Sequence, residues 1–192
     1  MPVSRLRSGQ ASDQHHWVHE PPPEAYGRVT NPERFRDLWR VADSALDDLS
    51  RRYEATRAEG VDQDAELAGR GVGDHERIVR LQPAAASAAP IVVAFTRFPG
   101  LLVRFGRWHI EGYPICGCDA CDEQPAVLAD QFRRDVDDVV SGRFSESFSL
   151  TPEPRLRYAF HGRGGCTNLW EDDLRNIGDP ADITWLPWLA VE

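Results

Sequence analysis

Lysine is missing altogether: all 22 basic residues of the 192 are arginine, and they are outnumbered by 31 acidic residues, for a formal charge of -9. Without a basic excess, electrostatic capture of nucleic acid or of an anionic membrane leaflet is disfavoured. Arginine-only, alanine-rich usage points to a GC-rich coding sequence. No apolar run approaches the roughly 20 residues needed to cross a bilayer. The first 20 residues also lack the apolar stretch of an export signal, so a cytoplasmic setting is expected. Cysteine is scarce, with four residues at 116, 118, 121 and 166. In a reducing compartment such thiols point to a metal site or free thiols ahead of disulfides. What is present is a hydrophobic share of 41%, enough for one core in a chain of this length.

Residues 1–24 read as a disordered polar tail ending in Pro21-Pro22-Pro23, and 25–192 as a single α+β domain. His15, His16 and His19 stand at helical spacing in the tail, where no periodic apolar residue supports a helix. Asn31 and Pro32 suit the start of a first helix, whose stripe is Phe35, Leu38, Trp39, Ala42, Leu46, Leu49 and Tyr53, with Gly60 as a stop. A second stripe, Leu128, Phe132, Val136, Val139 and Val140, ends at Gly142. Strands are expected near 78–81, at 91–98 and 101–105 around the turn signal Pro99-Gly100, at 144–150, and at 156–160. Residues 83–90 read as a linker. The apolar parity flips after Gly106, which predicts a bulge at Gly106-Arg107 in one continuous bent strand. Glu146 interrupts its strand without explanation. Trp185 and Trp188, with Trp170, read as a strap over the core. The simplest architecture is an antiparallel sheet of four to six strands with both helices packed on one face.

The chemistry-bearing signal is Tyr113-Pro-Ile-Cys-Gly-Cys-Asp-Ala-Cys-Asp-Glu123. Cys116 and Cys118, two apart, point the same way in extended backbone. Cys118 and Cys121 have the Cys-x-x-Cys spacing of a zinc-binding turn. Gly117 permits the bend that brings three thiolates together. The fourth zinc ligand is assigned first to Cys166, then to His161, then to His109, with water as the remaining alternative. Asp119, Asp122 and Glu123 add negative charge beside an anionic site, so they are expected to face solvent. A thiol nucleophile at Cys118 or Cys121, with His109 or His161 as base, is a further alternative.

Other motifs are weaker. His109-Ile-Glu111, Pro114 and Cys118-Asp-Ala-Cys121 hold the parts of the nucleobase deaminase signature, but only four residues separate Glu111 from Cys116 and the proline does not abut the Cys-x-x-Cys pair. Gly162-Arg163-Gly164-Gly165 lacks the lysine and context of a phosphate loop and reads as a flexible turn. Arg155 and Arg157 alternate on one strand face and are expected to pair with surface acids.

The runs Phe98-Pro-Gly-Leu-Leu-Val-Arg-Phe-Gly-Arg-Trp-His109, Pro114-Ile-Cys-Gly-Cys-Asp-Ala-Cys-Asp-Glu123 and Trp185-Leu-Pro-Trp188 resemble an uncharacterised actinobacterial family of proteins of unknown function. The resemblance covers most of the chain after the tail and implies a fold-sized unit without an assigned activity. The first functional reading is a small binding or adaptor module with a protein partner, stapled by structural zinc on Cys116, Cys118, Cys121 and Cys166. The alternatives are a zinc- or thiol-dependent hydrolase or transferase and an acidic immunity-type inhibitor of a basic partner. A closed site with buried sulfurs counts against the enzyme, and failure to capture a basic partner counts against the inhibitor.

Overall fold

The computed structural model describes residues 21–60, 67, 74–170, 174 and 177–192. Among the described residues, two α-helices described along their whole length and two antiparallel sheets form the fold. Pro23–Ala25 and Pro32–Phe35 make 3-10 turns, and α1 runs over Asp37–Arg52. The first sheet is a meander of β1 (Ala55–Glu59), β2 (His75–Pro83), β3 (Ile91–Thr96), β4 (Gly100–Phe105) and β5 (His109–Tyr113), paired in that order. Helix α2 (Pro125–Val140) follows. The second sheet has the order β8-β7-β6-β9, with β6 at Ser145–Ser149, β7 at Arg155–Phe160, β8 at Arg163–Asn168 and β9 at Ala181–Thr184. The expected single sheet of four to six strands is therefore two sheets of five and four.

The stripes behave as their periodicity predicts. Leu38, Ala42, Leu46 and Leu49 of α1 and Leu128, Phe132, Val136 and Val139 of α2 share one apolar cluster with Val79, Val93, Phe95, Val103 and Phe105 of the first sheet. Phe160 of the second sheet, together with Phe144 and Trp185 beside it, joins the same cluster. On the other face of the first sheet Ile78, Val92 and Ala94 pack with Leu67. Burying such side chains contributes about 1.5–3 kcal/mol each, and this burial holds the layers together.

Three local readings are corrected. Residues 55–59 form the edge strand β1 beyond the end of α1; exposed Thr56, Ala58 and Glu59 give it no alternating apolar signal. The flip after Gly106 is a hairpin turn, not a bulge. Phe105 pairs with His109, the chain reverses over 106–108, and Gly106 takes a φ of 67°. A Cβ on Gly106 would collide with the Glu146 carboxylate and reach within 2.8 Å of the Trp185 indole nitrogen, so glycine is required there. Residues 163–168 are strand rather than turn. Gly164 is small because a Cβ would lie 2.7 Å from the Tyr158 carbonyl oxygen on the neighbouring strand.

Glu146 has a full structural explanation. From β6 its buried carboxylate accepts the N–H groups of Arg107 (2.6 Å), Trp108 (2.9 Å) and His109 (3.0 Å) and the indole N–H of Trp185 (3.1 Å). The strap then crosses the molecule. Leu186 N–H donates to the Ser87 carbonyl, Trp188 N–H to Val140 and Val191 N–H to Arg52, while Glu54 N–H donates to Leu189. Trp188 is buried with its indole N–H on the Ala89 carbonyl at 2.9 Å. Trp170, by contrast, is 77% exposed.

Each buried donor left without an acceptor costs about 1–3 kcal/mol. Glu146→Ala is therefore expected to lower unfolding free energy by at least about 3 kcal/mol, measured by urea denaturation. Ser147→Ala, one residue along β6, should stay within about 0.5 kcal/mol. Equal effects from the two substitutions would refute the role given to the carboxylate.

Candidate metal centre

The loop between β5 and α2 carries the cysteines. Its backbone is fixed by two left-handed positions, Gly117 at a φ of 74° and Asp122 at 45°. A Cβ on Gly117 would stand 2.6 Å from the Phe98 ring, so glycine serves both the turn and the close approach. The ligand atoms of Cys116, Cys118 and Cys121 all lie within 4.8 Å of one another, the only group of three or more such ligands among the described residues. Cys118 is buried, whereas Cys116 and Cys121 are exposed.

The acids were expected to face solvent, and two of them do otherwise. Glu123 folds back so that its carboxylate accepts the N–H groups of Ile115 (3.1 Å), Cys116 (2.9 Å) and Gly117 (3.0 Å). The Asp119 carboxylate accepts Thr30 N–H at 3.0 Å, Thr30 Oγ1 at 3.1 Å and Arg28 Nε at 2.9 Å. Those donors, the Thr30 N–H first, hold Asp119 below the usual carboxylate range. Both carboxylates brace the loop that carries the sulfurs.

The segment of residues 22–30, an N-terminal arm, forms one wall of the loop. Asp119 N–H donates to the Arg28 carbonyl at 2.8 Å and Ala120 N–H to the Ala25 carbonyl at 3.2 Å. Ala25, Cys118 and Ala120 form a small buried cluster of their own. Burial pushes the Cys118 thiol up, but hydrogen bonds from the Cys116 thiol and from the N–H groups of Cys121 and Gly27 outweigh it and bring it down to about 7. Cys121 is driven far above the ordinary thiol range by partial desolvation of its sulfur and by the two neighbouring sulfurs. A bound dication would displace the thiol protons of the trio.

The other candidate ligands lie elsewhere. Cys166 is exposed on β8 opposite Arg157. His161 is exposed at the β7–β8 turn, its N–H on Asp138 at 3.1 Å. His15, His16 and His19 lie outside the described residues. His109 is buried between the sheets, its ring stacked on Tyr158 at 3.7 Å and its Nε2 3.3 Å from the Glu111 carboxylate. Arg163 bridges Glu111 (3.6 Å) and Asp135 (2.6 Å), and Tyr113 Oη donates to Asp135 at 2.5 Å. This network joins β5, α2, β7 and β8, away from the thiol cluster. Burial pushes the Asp135 carboxyl up, opposed by the Arg163 and Tyr113 hydrogen bonds.

Sequence reasoning missed the arm and the bracing by Glu123. Much of the arm's hold is through backbone groups of Ala25, Gly27, Arg28 and Thr30, which leave no side-chain signature. Glu123 carried a signal, an acid six residues beyond Gly117 at the mouth of a tight loop.

The family of unknown function DUF6226 matches residues 7–190, and the chain belongs to it. No curated protein and no solved structure matches the chain.

Two outcomes are expected. Asp119→Ala removes three hydrogen bonds that hold the arm, so trypsin should cleave after Arg28 faster than in the unaltered protein, read by mass spectrometry of a timed digest. For Asp135, a folded-state pKa raised above 3.8 means that the protonated group's contribution is complete below 3.8 and is lost as pH rises through the folded value. Asp135→Asn cannot ionise, so its urea stability should gain relative to the unaltered protein as pH rises above about 4. Parallel stability–pH curves would contradict this.

Proposed function

We propose that this member of the DUF6226 family binds zinc through Cys116, Cys118 and Cys121 and that the metal is structural, stapling the arm and the β5–α2 loop of a cytoplasmic binding or adaptor module. The observation that carries the reading is the convergence of three sulfurs within 4.8 Å. Zinc–sulfur bonds of about 2.3 Å put tetrahedral sulfurs about 3.8 Å apart, so the trio needs only a small contraction. Three thiolates are soft donors, which suits zinc and disfavours magnesium or calcium. No described helix is long and apolar enough to cross a membrane.

Support for a structural role comes from the surroundings. Two carboxylates of the loop, Asp119 and Glu123, are engaged by backbone and side-chain donors, and His109 and His161 lie elsewhere. A protein partner is favoured by exposed apolar side chains on the arm and loop, Tyr26 at 58% and Ile115 at 60%.

Elemental mass spectrometry of untagged protein purified without chelators should find zinc near one per chain, lost in Cys118→Ser. Binding to the folded state alone at about 100 times the dissociation constant contributes about 2.7 kcal/mol. Chelation should therefore lower Tm by roughly 5–10 °C for a chain of this size. Metal-free protein with a Tm indifferent to added zinc would overturn the proposal.

A further inference from the structure

Cys118 and Cys121 are the two ends of a single turn. Asp122 N–H donates to the Cys118 carbonyl at 3.3 Å, which closes one helical turn that is not continued. A disulfide needs Cα atoms no more than about 7 Å apart, a limit that the ends of a closed turn meet. The Cys121 N–H donates to the Cys118 sulfur, so that sulfur lies over the turn on the side of Cys121, and the two sulfurs are within 4.8 Å. Between the two cysteines stand Asp119 and Ala120, whose N–H groups hold the Arg28 and Ala25 carbonyls of the arm. The stretch that spaces the two thiols is therefore the stretch on which the arm is docked.

We infer that Cys118 and Cys121 are a reversible dithiol–disulfide pair oxidised by peroxide, and that the oxidised turn releases the arm. Cys121, whose sulfur is exposed, reacts first. It takes one oxygen from hydrogen peroxide, becoming a sulfenic acid, and one water leaves. The Cys118 sulfur then attacks the sulfenic sulfur; the S–O bond breaks, the S–S bond forms and a second water leaves. Two thiols are oxidised, one peroxide is reduced, and no other reactant is needed. Because the second thiol is already in place, the condensation is intramolecular and intercepts the sulfenic acid before more peroxide drives it to the sulfinic acid. With zinc bound, two thiolates give up the same two electrons and solvent supplies two protons. The metal then leaves at unchanged charge, with Cys116 the one sulfur of the trio still able to hold it.

The surroundings select this pair. The Glu123 carboxylate accepts the N–H groups of Cys116 and Gly117. Gly117 is also wedged where a Cβ would stand 2.6 Å from the Phe98 ring and 3.2 Å from Pro114. Joining Cys116 to Cys118 would close a ring one residue smaller against that brace. Cys166, exposed on β8, stands outside the group and serves as an internal control. Closing the pair draws the Cys118 side chain off Ala25, with which it and Ala120 are buried, and resets the turn whose two N–H groups hold the arm. The disulfide rests on the geometry of the trio alone, while the loss of metal that accompanies it rests on the zinc reading above.

The test exposes the full chain, metal-free and zinc-loaded, to hydrogen peroxide, removes the excess with catalase, and alkylates free thiols before and after reduction with two different reagents. Peptide mass spectrometry should find the second reagent on Cys118 and Cys121 and not on Cys116 or Cys166. Cys116→Ser should keep the pair and Cys121→Ser should lose it. In the metal-free chain, which separates the disulfide from the metal, oxidation should speed tryptic cleavage after Arg28 at least about fivefold, the factor that goes with one lost hydrogen bond. Dithiothreitol should restore the starting rate, and Cys121→Ser should show no change. Zinc-loaded protein should release its metal to a chromogenic chelator in step with the second label. A second label that is absent, or that falls on another pair, would overturn the disulfide while leaving the zinc site standing. The disulfide with unchanged cleavage after Arg28 would overturn release of the arm. A chain that forms the disulfide and takes up no zinc would overturn the zinc reading and leave this inference in place.

Discussion

A buried carboxylate is tolerated only when its lone pairs are engaged, and the way Glu146 meets that demand organises the molecule. Three consecutive N–H groups of the β4–β5 turn converge on it from one sheet while it projects from the other. The indole of Trp185 supplies the fourth donor and so fixes where the strap begins. By holding the N–H of His109, the same carboxylate sets the head of β5. The alternation of that strand then turns His109, Glu111 and Tyr113 inward, toward Arg163 and Asp135. Tyr113 is the last residue of β5 before the cysteine loop. The inter-sheet network and the loop anchor are thus both referred to one side chain of β6.

Elements that bury one face against apolar neighbours were legible in the sequence. The stripes of α1 and α2 and the hairpin around Pro99-Gly100 needed no long-range information, because period and turn chemistry are local. What escaped was what distant backbone decides. Strand β1 exists because β2 offers it a partner, not because its own residues alternate. Gly164 reads as a turn residue until Tyr158 of the adjacent strand is seen to press against it. Gly106 likewise suggested a bulge, since a parity flip is common to bulges and hairpins and only pairing distinguishes them. Glu146 looked anomalous for a related reason: its four donors come from 37 to 39 residues away in either direction along the chain.

The candidate centre divides in the same way. Three cysteines within six residues converge through local geometry, and their spacing was sufficient to predict it. The fourth-ligand candidates named from the sequence, Cys166, His161 and His109, stand outside that group, and spacing gave no guide to their placement. The acids of the loop were misjudged because charge was weighed against charge, whereas Asp119 and Glu123 are satisfied by donors of the arm and of the loop itself. Carboxylates that accept backbone N–H groups beside a thiolate cluster add rigidity at the cost of some repulsion. At Cys118 the hydrogen bonds to sulfur outweigh the effect of burial on the thiol.

The strap has a consequence for how the chain comes into being on the ribosome. Every partner it holds, from the end of α1 through the β2–β3 linker to the end of α2, precedes it in the chain. Synthesis therefore delivers both helices and strands β1 to β8 before the strap that fastens them. Until residues 185–191 clear the exit tunnel, Phe105, Phe144 and Val140 lack a cover that Trp185 and Trp188 later supply. The nascent chain passes through an interval with an open core, the stage at which a newly made protein is most exposed to chaperones and to its neighbours.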